Sequence, residues 1–351
     1  MKLKFRILAF LFPLNWGARY FQRGKTPIRL ELAVLQKLIR AKAWITKSSK
    51  HQPKRSPLES SESERRLIRR YTAFTVLEPP IENLRPQQIP NIRLLWMAHP
   101  KDFQVLHHSI HGVLQHLRNP VSEIVIISPV AKATSKHLES RVDTDLPIRF
   151  LNDEDFMSGK NWKLLQTSLG GHAGWAASQL IKVDFILSGD STPTLMVDSD
   201  TVLLTDKQWL FADGRQLLYF RWYENPRYEQ FLRYWGFEEM DSLRSFITHH
   251  TLFQPSLLQI LMDETFGAHD LDSLVRHVVG GADALGIREF CIDDEPYGQM
   301  LFKHYRDKVV LDKYSNVNMS LPRSDQEFEK LLRKLRHGGR FNSVSFHNPS
   351  R

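Results

Sequence analysis

A single cysteine, Cys291, stands in 351 residues. One thiol cannot close an intramolecular disulfide, and it cannot build a cysteine-based zinc centre. It reads as an ordinary buried thiol in a chain suited to a reducing compartment. Long apolar runs are also missing. The run at 7–14 follows Lys2, Lys4 and Arg6, is broken by Pro13, and is too short to span a bilayer. It fits a packed N-terminal helix or an interfacial anchor; no small-x-small cleavage site follows that would mark a secretory signal. Phosphate-binding glycine signatures are absent: there is no G-x-x-x-x-G-K segment and no G-x-G-x-x-G after a strand. That argues against a P-loop enzyme and a dinucleotide-binding dehydrogenase. Neither G-x-S-x-G nor H-E-x-x-H occurs. The pairs Gly170-Gly171 and Gly280-Gly281 replace none of these, and no internal repeat is visible.

What is present is 42% hydrophobic and 11% aromatic, enough for a large core in one α/β domain with an appendage. The net charge of +9 is uneven. Residues 1–70 hold 18 Lys and Arg against 4 Asp and Glu, a net of +14, which leaves the remainder at −5. A basic head of this kind is drawn to anionic surfaces such as a membrane leaflet. The acidic body excludes a whole-domain nucleic-acid binder. Ile28, Leu32, Leu35, Ile39 and Ala43 share one face of an amphipathic basic helix over 28–46. A Ser- and Pro-rich linker follows at 47–63. The expected organisation is therefore a basic helical extension and linker at 1–70 and a main domain at 90–350.

From residue 91 onward, strand-like and helix-like segments alternate. Strands are expected at 92–98, 123–128, 147–151, 194–197, 216–220 and 246–253. Helices are expected at 102–117, 174–183, 255–266, 293–304 and 325–336. Alternation of this kind predicts a mostly parallel sheet flanked by helices, with ligands beyond the carboxyl ends of its strands.

The segment TLMVDSDTVLL, residues 194–204, is the strongest local feature. A buried strand ends in Asp198, Ser199 and Asp200. Carboxylates at i and i+2 of a strand share a side and repel unless a cation joins them. Hard oxygen ligands suit Mn²⁺ or Mg²⁺, and such an ion can neutralise charge developing on a diphosphate.

The segments GWAASQLIKVDFI and TLMVDSDTVLL together resemble the core of GT-A-type glycosyltransferases. The nearest resemblance is to an uncharacterised bacterial family of glycosyltransferase-like proteins. KDFQVLHHSIHGVLQH, EIVIISP, FLNDEDF, SFITHHTLF and DDEPYGQML follow the same order, so the likeness covers about residues 91–350. It implies a GT-A-type, Rossmann-like sheet and a DxD motif, Asp198 to Asp200, that holds the metal and lies near the nucleotide. It further implies nucleotide contacts from the loop after the first strand, here His99 and Lys101. Gln179 and Lys182 share a helix face before the DxD, where Lys182 would meet a phosphate.

His249 and His250 on one strand would face opposite sides, so at most one enters the site; His250 is taken as the metal ligand. His347 is a further ligand candidate, because several GT-A enzymes take one from a C-terminal His. Glu295 or Asp294, at the start of a helix, would act as general base; N-capping and alignment with the helix dipole are the competing explanation. The acids Asp153, Glu154 and Asp155 read as a solvated loop.

The function expected is that of a hexosyltransferase-like enzyme moving a sugar from a nucleotide-diphosphate donor to an acceptor hydroxyl. A glycan or a lipid-linked acceptor would suit cell-envelope or extracellular polysaccharide synthesis. Residues 1–45 would make a peripheral contact at the cytoplasmic face of the membrane, with no nucleic acid involved. Two rivals are a nucleotidyltransferase of similar fold, which releases pyrophosphate, and a non-catalytic glycan- or membrane-binding protein.

Overall fold

The computed structural model describes residues 88–222, 226–237, 240–241, 244–267 and 270–346. The chain divides into two units between Leu77 and Glu78, and all described residues lie in the second. The basic extension, its helix at 28–46 and His347 therefore lie outside the described residues. Among those described, no helix is long and apolar enough to cross a membrane.

A five-stranded sheet forms the centre, in the order β3 (Ile148–Asn152), β2 (Val121–Ser128), β1 (Ile92–Met97), β4 (Thr194–Asp198), β8 (His250–Phe253). Its first four strands are parallel, and β8 runs antiparallel to β4. The expected mixed α/β, mostly parallel sheet flanked by helices is thus observed. Leu94, Leu95, Trp96, Ile124, Val125, Ile126, Leu195 and Met196 are all buried, as they must be in strands covered on both faces. Leu94, Trp96, Ile124 and Leu195 point into one core with Leu106 and Ile110 of α1 (Phe103–His116). Their alternates Leu95, Val125 and Met196 are buried outside that cluster, as the period of two requires.

Between the strands lie α2 (Ala131–Leu138), α3 (Gly159–Leu169) and α4 (Ala173–Ser188). After β4 the chain turns into β5 (Thr201–Leu203), which pairs antiparallel with β11 (Ser343–Ser345); β10 (Asn316–Asn318) completes that small sheet. A third sheet places β6 (Gln216–Trp222) between β7 (Arg244–Ser245) and β9 (Val309–Lys313). The remaining helices are α5 (Pro226–Tyr234), α6 (Pro255–Leu261), α7 (Leu271–Leu285), α8 (Asp294–His304) and α9 (Asp325–Gly338).

Helix α1 lies directly on β5. A Cβ on Gly112 would stand 2.7 Å from the Val202 side chain and 3.1 Å from Leu203 backbone, so only glycine permits this approach. The turn that carries the acidic motif therefore leads straight into a strand held close against the helix that follows β1.

Two expectations about local structure are corrected. The strand expected over 246–253 is shorter: residues 246–248 have no strand pairing, Arg244–Ser245 belongs to another sheet, and β8 begins only at His250. The i, i+2 geometry of a strand also does not reach Asp200, because β4 ends at Asp198 and residues 199–200 form a turn.

Candidate functional site

The carboxyl ends of β1 and β4 are neighbours, with Met97 opposite Asp198. Three segments converge there: the loop after β1, the turn after β4 and the residues before β8. Asp198 keeps 40% of its side-chain exposure, and its Oδ2 lies 2.8 Å from His249 Nδ1. Burial pushes the Asp198 carboxyl up, but the His249 hydrogen bond and the charges of His249 and Lys182 outweigh that and hold it below the usual carboxylate range.

Ser199 is buried and donates to Asp102 Oδ2 at 2.8 Å. Asp102 stands at the N-cap position of α1. It occupies that position without a side-chain capping bond and instead ties the turn to α1. Burial raises its carboxyl, and the Ser199 bond and Lys101 offset part of that. The peptide oxygen of Asp200 accepts from Phe346 N at 2.9 Å, which joins the same turn to the end of β11.

Behind Asp198 lies a second charged group. Lys182, on α4, is buried and pairs with Asp293 Oδ2 at 2.8 Å. Asp293 also accepts through Oδ1 from Asp294 N at 2.9 Å and from Cys291 Sγ at 3.2 Å. Despite burial, Lys182 holds Asp293 below its ordinary range, and the surrounding acids hold the Lys182 ammonium above its own. Burial first and the Asp293 charge second push Asp294 well above its usual value. Asp294 Oδ1 is buried without a hydrogen-bond partner. The Cys291 thiol is raised by burial and by these acids, as an unreactive buried thiol should be.

Several expected residues stand elsewhere. His250, taken as the metal ligand, faces away from Asp198 into an aromatic cage. Its ring lies 5.6 Å from Trp209, 5.1 Å from Tyr219 and 5.5 Å from Tyr314. Burial lowers it to about 3, so it is a neutral core residue. Its neighbour His249 takes the place beside Asp198, because the pleat sends adjacent residues to opposite sides.

Glu295 is fully buried and accepts from Ser245 Oγ (2.8 Å), Phe246 N (2.7 Å) and Gln299 Nε2 (2.9 Å). Both its oxygens are engaged in holding the segment around β7. Gln179 is buried too. Its Oε1 accepts from Ile292 N at 2.9 Å, so it braces the approach to Asp293 instead of facing a ligand. His99 and Lys101 are exposed on the loop after β1, where His99 Nδ1 accepts from Lys101 N at 3.3 Å.

The donor set at the turn fits a hard divalent cation. Asp198 and Asp200 are partly exposed carboxylates at a strand's carboxyl end, and Mg²⁺-type sites commonly take one or two carboxylates and complete the shell with phosphate and water. Among the described residues the DSD acids belong to no group of three or more close ligand atoms.

No protein-family model matches the chain, and no curated protein matches it in sequence. Solved structures do resemble it. The mannosyltransferase Ktr4p from S. cerevisiae aligns with a TM-score of 0.50 and 9% identity over 75% of this chain and 81% of that one. The same protein in complex with GDP aligns at a TM-score of 0.44 and 8% identity, over 70% and 78%. Mouse xyloside xylosyltransferase 1 aligns at a TM-score of 0.42 and 12% identity, over 74% of this chain and 99% of that one. The fold is accordingly of the GT-A type.

Proposed function

We propose that this protein is a metal-dependent glycosyltransferase that moves a sugar from a nucleoside diphosphate to an acceptor hydroxyl. The observation that carries the reading is the placing of an ionised Asp198, steadied by His249, at the carboxyl edge of a GT-A-type sheet, directly before the buried Lys182–Asp293–Asp294 group. In open α/β sheets that edge is where ligands bind.

Asp198 and Asp200 would hold Mn²⁺ or Mg²⁺, and the ion would supply charge neutralisation at the departing diphosphate. His249 keeps Asp198 ionised and fixes its rotamer, as outer partners of metal-ligating carboxylates do. His99 and Lys101, exposed on the neighbouring loop, are available to the nucleotide. Lys182 is committed to Asp293 and acts by setting the local charge rather than by free contact with a phosphate. Asp294, once ionised, is the candidate to receive the acceptor's proton: burial and the Asp293 charge raise its proton affinity, and its Oδ1 has no hydrogen-bond partner.

The reading also covers residues 1–45 as a peripheral membrane contact near a lipid-linked or envelope acceptor. If so, deleting residues 1–60 should release the protein from membranes on fractionation, and an unchanged distribution would end that part.

The deciding experiment is calorimetric titration of nucleoside diphosphates with and without Mn²⁺, on wild type and Asp200→Ala. Metal-dependent binding of one nucleotide, lost in the variant, supports the transferase. Binding of none under any condition sinks it and leaves a non-catalytic glycan- or membrane-binding protein. Release of pyrophosphate instead of nucleoside diphosphate during turnover would identify a nucleotidyltransferase.

A further inference from the structure

Away from this site, α1 and α9 meet through a cluster of histidines and acids that the proposed reaction does not use. His107 and His108 are adjacent on α1 and about 95% buried, at 6% and 5% relative exposure. Their rings lie 3.9 Å apart at 37°. His108 also stacks on Phe328 of α9, with centroids 3.9 Å apart and planes 5° from parallel. Stacking accounts for the ring carbons but not for the nitrogens. His107 Nδ1 and His108 Nε2 are both buried without a hydrogen-bond partner, and native structures seldom leave such groups unsatisfied.

The nitrogens face acids. His108 Nε2 lies 4.0 Å from Asp325 Oδ1, at the first residue of α9, and His108 Nδ1 lies 3.3 Å from Glu329 Oε1. His107, His108 and Asp325 each bring a ligand atom within 4.8 Å of the others.

We propose that His107, His108 and Asp325 form a binding site for a transition-metal dication, Zn²⁺ above all, that fastens α9 to α1. Two imidazoles and one carboxylate are a borderline-soft donor set of the kind Zn²⁺ takes, with a fourth position left for water. Glu329 beside His108 Nδ1 fixes the tautomer that turns the Nε2 lone pair toward Asp325, the usual arrangement behind a metal-bound histidine.

Geometry permits the closure. Zinc bonds of about 2.0–2.2 Å put neighbouring tetrahedral ligand atoms roughly 3.3 Å apart. Asp325 is 74% exposed, so its side chain can turn to close the 4.0 Å gap to His108 Nε2. The bound ion would pin α9 over the small core of Val105, Val202, Phe328, Val344 and Phe346, the core that backs the turn of Asp200.

The test uses the full chain without a polyhistidine tag, stripped of metal and titrated with ZnCl₂ alone against a competing chromophoric chelator. The expected result is one tightly bound Zn²⁺ per chain and a higher Tm. Asp325→Asn, an exposed change that should leave folding intact, is expected to weaken binding at least tenfold. The double variant Asp198→Asn/Asp200→Asn should bind Zn²⁺ like wild type. Absence of binding at millimolar Zn²⁺, equal affinity in Asp325→Asn, or loss of the ion in the Asp198/Asp200 variant would each overturn the assignment. Since no readout depends on sugar transfer, its failure is separable from failure of the transferase reading.

Discussion

His249 is bound to Asp198 twice: Nδ1 lies 2.8 Å from the carboxylate Oδ2, and the His249 peptide oxygen accepts from Asp198 N at 2.8 Å. The residue before β8 thus extends the pairing with β4 and at the same time steadies the acid at its end. The side-chain bond is among the influences that keep Asp198 below the usual carboxylate range, against the upward push of burial.

Removing that imidazole should release the acid. We expect His249→Ala to leave the fold intact, to raise the Asp198 pKa, and to weaken Mn²⁺-dependent nucleotide binding about 10–100-fold, the usual cost of losing a partner behind a metal ligand. His250→Ala should instead lower stability, since that ring fills an aromatic cage. Calorimetry and thermal unfolding on the two variants separate these effects; equal nucleotide affinity in wild type and His249→Ala would remove the role assigned here.

The sequence made the central sheet legible because its strands are buried on both faces and read as short apolar runs, as at 92–97 and 194–198. It made the acidic turn legible because an apolar strand that ends in two carboxylates is unusual. Other parts depended on contacts far along the chain. Lys182 and Asp293 are 111 residues apart, and Asp102 and Ser199 are 97 apart, and no local pattern records such pairs. Choosing between His249 and His250 required the pairing register of β8 with β4, which a one-residue slip reverses. Glu295 looked like a base because acids at helix starts look alike; three buried donors set it apart only in three dimensions.

The Lys182–Asp293 pair should matter more to stability than a surface bridge. Its side chains are only 9% and 4% exposed, so removing one partner leaves an uncompensated buried charge, at a cost of about 3–5 kcal/mol. The ammonium is held above its ordinary 10.5, so its contribution is complete below that pH and fades only as pH rises through the raised value. Asp293 is held below its ordinary 3.8, so its contribution is complete above that pH and fades as pH falls through the lowered value. Urea unfolding of Lys182→Met should therefore show a deficit against wild type that is smallest in acid and grows as pH rises, because Asp293 without its ammonium is raised by burial and ionises at a cost. A variant as stable as wild type at neutral pH would contradict the pairing.

Helix α8 is held in place by a glycine. A Cβ on Gly298 would overlap the Cβ and Cγ of Phe246, whose backbone N donates to Glu295 one turn earlier on the same helix. Alanine gains about 1 kcal/mol in helix propensity over glycine. Overpacking of a filled core typically costs about 1–3 kcal/mol, and more where the colliding atoms lie next to backbone. The collision should win. Gly298→Ala is expected to lower unfolding free energy by at least about 1 kcal/mol and to reduce kcat through displaced Asp294, with nucleotide affinity little changed. A variant as stable as wild type would mean that α8 and the segment around β7 move freely past each other.

Asp294 offers the sharpest contrast between stability and activity. Burial and the neighbouring Asp293 charge raise its carboxyl well above 3.8. For an acid with a raised folded pKa, the folded state favours the protonated form. Stability from this group is complete below pH 3.8 and is lost as pH rises toward the raised value, so at higher pH its ionisation opposes folding. Asparagine keeps the shape and cannot ionise. We therefore expect Asp294→Asn to raise Tm at pH 8 relative to wild type and to narrow that gain as pH falls toward 4. A proton acceptor is worth about 10²–10⁴ in rate, so the same variant should lose at least a hundredfold in kcat while it still binds nucleotide. Higher Tm with full activity would make Asp294 a structural acid only. Lower Tm with lost activity would mean that Thr251 and its neighbours need the carboxylate itself. Only the combination of a gain in stability with a loss in kcat marks a carboxyl kept in a costly environment for its chemistry.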